Sequence, residues 1–81
     1  MNVLFLEVTI ETQDQTVLTS LQAIKTQLET QPGFQDARLL ENTQDPRVIL
    51  LESTWKISMP EVIEGFPIEG LKCRRWSFRL I

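Results

Sequence analysis

The strand-like segments of this sequence carry apolar side chains on both parities, yet only one long amphipathic helix is available to cover them. In Asn2 to Ile10, Leu4, Leu6, Val8 and Ile10 share one side. Val3, Phe5, Glu7 and Thr9 share the other, because successive side chains of a strand point to opposite faces. Both sides begin apolar, which reads as a central strand covered on both faces.

The covering helix comes next. Thr12 and Asp14 are candidate caps, and Thr12 followed by Gln15 has capping-box spacing. Val17, Leu21, Ile24 and Leu28 form one stripe, widened by Leu18. Pro32 and Gly33 end a helix predicted over 14–30. A second strand follows over Phe34 to Asn42, with Phe34, Asp36, Arg38 and Leu40 on one face. Asn42 to Pro46 is a turn. A third strand over Arg47 to Trp55 has Val48, Leu50, Glu52 and Thr54 opposite Ile49, Leu51, Ser53 and Trp55. The short link makes strands two and three a hairpin. Pro60 to Phe66 reads as a short helix, and Leu71 to Ile81 as the last strand. In that strand Trp76, Phe78 and Leu80 face one way. No internal repeat is expected.

The order β-α-β-β-(short α)-β is a ferredoxin-like α+β plan. One helix of about four turns covers part of one sheet face only. Val3, Phe5 and neighbours on the later strands are left for another surface, and exposed patches of that kind mark interfaces. The expectation is a homodimer or higher homo-oligomer with facing sheets. Cover by the 56–71 segment is the alternative.

Length and composition close off other classes. The 81 residues make a single domain over 1–81, with a globular 42% of hydrophobic and 23% of charged residues. With no histidine, histidine-based acid–base chemistry and histidine metal ligands are excluded within the chain. Cys73 is the single cysteine, so no intrachain disulfide forms. The net charge of −3 argues against a nucleic-acid partner. No apolar run is long enough for a membrane span, and the first ten residues lack a basic n-region. A cytoplasmic protein without cofactor is the expectation.

Pro32-Gly33-Phe34, Ala37-Arg38-Leu39-Leu40, Asp45-Pro46-Arg47 and Leu50-Leu51-Glu52-Ser53-Thr54-Trp55 together resemble the antibiotic biosynthesis monooxygenase (ABM) superfamily. The likeness covers roughly residues 2–56. It implies a dimeric α+β barrel of two ferredoxin-like subunits. It also implies a pocket between sheet and helices, used in that family by cofactor-free monooxygenases and haem-degrading enzymes. Two features of this chain depart from that pattern. Its second helix is short, and it has neither histidine nor tyrosine.

Arg38, Trp55 and Arg75 are the catalytic candidates, as two cationic donors and a stacking surface around an aromatic substrate. Trp55, Trp76 and Phe78 are the ligand-binding candidates. Each has a structural alternative: core packing for the aromatics, cross-strand pairing or edge protection for the arginines. Glu52 is a base if buried, and the reverse if paired with Arg38 or Lys56. Asn2 and Asn42 lie near strand ends, where either can orient a substrate oxygen, though Asn42 reads more simply as a turn residue. No carboxylate or cysteine cluster has metal-ligand spacing. The expected function is a non-catalytic homodimeric module that binds a small apolar molecule or a protein partner. The alternative is a cofactor-independent monooxygenase acting on an aromatic compound.

Overall fold

The computed structural model describes residues 1–11 and 15–81. The elements are β1 (Asn2–Thr9), α1 (Gln15–Glu29), β2 (Phe34–Glu41), β3 (Val48–Trp55) and β4 (Lys72–Arg79). The Thr12 and Asp14 caps and the Thr12 capping box lie outside the described residues. All strand pairs are antiparallel, in the order β2-β3-β1-β4. This is the ferredoxin-like arrangement without its second helix.

The sheet is open. β2 and β4 each have one neighbour, so they end the sheet as edges. The expected dimeric α+β barrel is therefore corrected to a single open four-stranded sheet, covered on one face. The molecule measures 36 × 25 × 16 Å. Its thinnest dimension admits one layer over the sheet, since packed layers stand about 10 Å apart.

The covered face holds the core. Val17, Leu21, Ile24 and Leu28 of α1 are all buried, as their spacing requires. They meet Leu4, Leu6, Val8 and Ile10 from β1 and Ile49, Leu51 and Trp55 from β3. Leu18 sits at the rim, 36% exposed. Burial alternates along β1 from Val3 onward and along all of β3, and both strands are flanked by strands on both sides.

The predicted short helix at Pro60–Phe66 does not form. The segment is a run of bends and turns. Pro60, Gly65, Pro67 and Gly70 interrupt it, and so short a helix cannot repay its nucleation cost. The segment is held instead by side chains from the body. Ile63 inserts into the core at 4% exposure, with Phe66, Ile68 and Leu71 packed beside it. The Gln27 amide imitates a backbone pair: its Nε2 donates to the Glu64 carbonyl at 2.9 Å, and its Oε1 accepts from the Glu64 N–H at 3.0 Å. Asn2 Nδ2 donates to the Ile57 carbonyl. The 56–71 segment thus lies on the same face as α1 and leaves the opposite face open.

One further reading is corrected. A register shift between Phe34 and Asp36 makes Gln35 the extra residue of a bulge. Phe34 therefore joins the core side with Ala37 and Leu39, edge-on to Trp55 at 5.5 Å, and not the side of Arg38. β1 and β3 also resemble each other locally. Val3–Thr9 and Val48–Thr54 are identical at four of seven positions: Val3/Val48, Leu6/Leu51, Glu7/Glu52 and Thr9/Thr54. The two segments pair antiparallel about Leu6↔Leu51. A local two-fold axis normal to the sheet relates them there.

Candidate functional site

The open face repeats that two-fold pattern. Phe5 and Leu50 occupy equivalent places, as do Glu7 and Glu52. The edge strands follow suit. Arg74 lies beside Glu7 and Arg38 beside Glu52, while Trp76 lies beside Phe5 and Leu40 beside Leu50. The result is two apolar quadrants on one diagonal and two ion pairs on the other.

The aromatic quadrant is the more prominent. Phe5 stacks on Trp76 with centroids 5.6 Å apart and meets Phe78 edge-on at 5.8 Å. Rings in these arrangements gain about 0.5–1.5 kcal/mol beyond burial. Phe78 remains 59% exposed and Leu80 66%. The Arg74 guanidinium lies over the Trp76 ring at 4.6 Å and forms an ion pair with Glu7 at 3.5 Å. On the other diagonal Arg38 Nε donates to Glu52 Oε1 at 2.6 Å. Glu7 and Glu52 are the sheltered partners, at 20% and 19% side-chain exposure, so the arginines form the rim.

The three catalytic candidates do not converge. Arg38 is on the open face, bound to Glu52. Trp55 is fully buried on the helix side, where its indole N–H donates to Ser53 Oγ at 2.8 Å. Arg75 is also on the helix side, and its guanidinium donates to the Pro60 carbonyl at 2.6 Å and the Glu61 carbonyl at 2.8 Å. The residues named for the alternative monooxygenase reading thus do not form one site among the described residues. Of the ligand-binding candidates, Trp76 and Phe78 share the open face and Trp55 lies beneath the sheet. Asn42 is a turn residue: its side-chain oxygen accepts from the N–H groups of Gln44 and Asp45 at 2.8 and 3.0 Å.

Three residues outside the candidate set turn out to matter. Phe5 and Glu7 are legible as the outer parity of β1. Gln27 carries no sequence signal, because its partner is a backbone group 37 residues away.

Below the open face, α1, Leu40 and the β2–β3 turn enclose a cleft of about 260 Å³ lined by Ile10, Leu18, Pro46 and Ile49. Among the described residues no group of three carboxylate, cysteine or histidine side chains could hold a metal ion. No helix among them is long and apolar enough to cross a membrane. Comparison with protein-family models, curated proteins and solved structures finds no match to this chain. The family resemblance therefore rests on the motif residues alone.

Proposed function

We propose that this chain is a small binding module without catalytic machinery of its own, and that it pairs with a second copy through its open sheet face. The observation that carries the reading is the exposed cluster of Phe5, Trp76 and Phe78 beside two internally neutralised ion pairs. Large apolar side chains grouped on one face gain by being covered, at roughly 25 cal/mol per Å² of apolar surface removed from water. Both ion pairs are already closed within the chain, so a partner meets no net charge on that part of the surface. The face also has its own two-fold pattern, and a second copy offers the same pattern in return. Isologous pairing is the commonest form of association between identical chains. The separation of Arg38, Trp55 and Arg75 supports binding over catalysis.

Sedimentation velocity from low to high micromolar concentration tests this. The expected result is a reversible dimer that Phe78→Glu converts to monomer. Val62→Glu, at an 85% exposed position in the 56–71 segment, leaves the dimer intact. A wild-type chain that remains monomeric throughout overturns the reading, as does a dimer indifferent to Phe78→Glu.

A further inference from the structure

The free edge of β4 has a chemistry separate from the open face. The Leu80 N–H donates to the Met1 carbonyl at 2.9 Å, and Met1 stands opposite Leu80 in the continued β1–β4 register. In an antiparallel ladder the residues of such a pair turn both backbone groups toward each other, and the intervening residues turn both away. Phe78, Trp76, Arg74 and Lys72 therefore point their backbone groups into the sheet. Cys73, Arg75, Ser77 and Arg79 point theirs outward, where β4 has no neighbouring strand among the described residues. No backbone hydrogen bond to the 56–71 segment occupies these outward groups among the described residues. This edge presents the backbone groups of four residues at two-residue intervals, about 6.8 Å apart, with the 61–67 segment lying beside its Cys73–Arg75 end.

The edge is also strongly basic. β4 contains Lys72, Arg74, Arg75 and Arg79, four of the chain's eight basic residues, and no acidic one, in a chain of net charge −3. Arg74 is neutralised by Glu7. Arg75 is fixed by the neutral carbonyls of Pro60 and Glu61, which leave its charge uncompensated. Lys72 and Arg79 have no carboxylate within ion-pair distance among the described residues. The β4 edges of two copies would repel each other, so a second copy does not suit this edge in isologous fashion.

We propose that the β4 edge accepts an extended acidic segment of another protein by strand addition, with carboxylates alternating with apolar side chains. Backbone bonds to Cys73, Arg75, Ser77 and Arg79 give the pairing, and side-chain alternation gives the selectivity. Side chains on the helix side of the added strand meet Arg75 and Arg79, which favours carboxylates there. Those on the other side extend the apolar surface of Trp76 and Phe78. This edge stays available whether or not the open face is covered by a second copy.

The test uses the whole chain and a blocked eight-residue peptide of alternating valine and glutamate. The expected result is saturable binding in an amide NMR titration, with exchange of the Arg75 and Ser77 amides slowed at least tenfold. Replacing the glutamates by lysine abolishes it. Ser77→Pro removes one outward donor while leaving the inward ladder intact, because proline is tolerated on an edge strand where its N–H would face solvent. It is expected to weaken binding at least tenfold with an unchanged far-UV circular dichroism spectrum. Should that variant fail to fold, Arg79→Glu serves in its place, with a several-fold loss expected. Three results overturn the proposal: no binding, equal binding of the lysine peptide, or perturbations confined to β2 or the open face. Oligomer growth of the chain alone, abolished by Ser77→Pro, also overturns it by identifying the occupant as a second copy.

Discussion

The Trp55 indole N–H donates to the Ser53 hydroxyl at 2.8 Å, two residues back on the same face of β3, with both side chains buried beneath the sheet. Trp55 is the largest of the fully buried side chains, and Phe34 closes over it edge-on. Ser53 is the only buried polar residue in this core among the described residues. It is there because a buried indole N–H without an acceptor is costly.

Ser53→Ala should therefore destabilise by about 1–3 kcal/mol, the cost of an unmet buried donor. A domain of this size has only about 5 kcal/mol to spare, so the loss is large. The urea midpoint should fall while the slope stays constant, and tryptophan fluorescence of a Trp76→Phe background, which isolates Trp55, should report the same transition as far-UV circular dichroism.

Gly33 turns the chain from α1 into β2 at φ +82° and accepts the Lys56 N–H at 2.8 Å. A Cβ at this position would meet the Ile57 nitrogen and Ser58 oxygen at 3.8 Å, which is ordinary contact. The penalty of Gly33→Ala is thus conformational, about 1–2 kcal/mol for a left-handed L-residue. Chemical denaturation measures it. A neutral result would mean that the turn can relax to negative φ without disturbing Lys56.

Arg75 and Gln27 fix the segment that stands where a second helix was expected. Arg75→Met keeps much of the aliphatic stem and removes the donors. Limited proteolysis should cut between Pro60 and Gly70 several-fold faster, with about 1 kcal/mol or less lost in global stability. Gln27→Ala should act on the same segment. Cleavage elsewhere first would show that these bonds do not restrain it.

Asp45 and Arg47 close the β2–β3 turn through two side-chain bonds at 3.0 Å and one from the Arg47 backbone N–H at 3.1 Å. The Arg47 side-chain bonds, then its backbone N–H, hold the Asp45 carboxyl below the ordinary carboxylate range. A carboxyl lowered by folding stabilises the fold above its unfolded pKa. That contribution fades as pH falls through the lowered value. The group is exposed, so the effect is small and screened by salt. A carboxyl-detected NMR titration should place the Asp45 midpoint low, and Arg47→Gln should raise it.

Much of the fold was legible because period and position coincide. The α1 stripe, the alternation in β1 and β3 and the Asn42 turn each depend on neighbours within a few residues. Phe34 was not, because a one-residue bulge reverses side-chain parity without changing the local pattern. The likeness of β1 to β3 acquires meaning only when Leu6 and Leu51 are seen opposite each other.

The candidate site was partly legible for the same reason. The pairing of Arg38 with Glu52 and the shared side of Trp76 and Phe78 follow from strand alternation. The roles of Trp55 and Arg75 do not. A tryptophan at a strand end can face a ligand or a core, and an arginine can bind an anion or a carbonyl.

Sequence alone determined four strands, the long helix and more apolar surface than that helix covers, since these depend on periodicity and count; the short helix it also suggested at Pro60 to Phe66 does not form. Tertiary structure decided which surface is left open. The 56–71 segment adds to the layer already formed by α1, because Gln27, Asn2, Arg75 and the core pocket for Ile63 are all reached from that side. The opposite face is consequently left with Phe5, Trp76 and Phe78 toward solvent, and β4 with outer backbone groups that no strand of the described residues pairs.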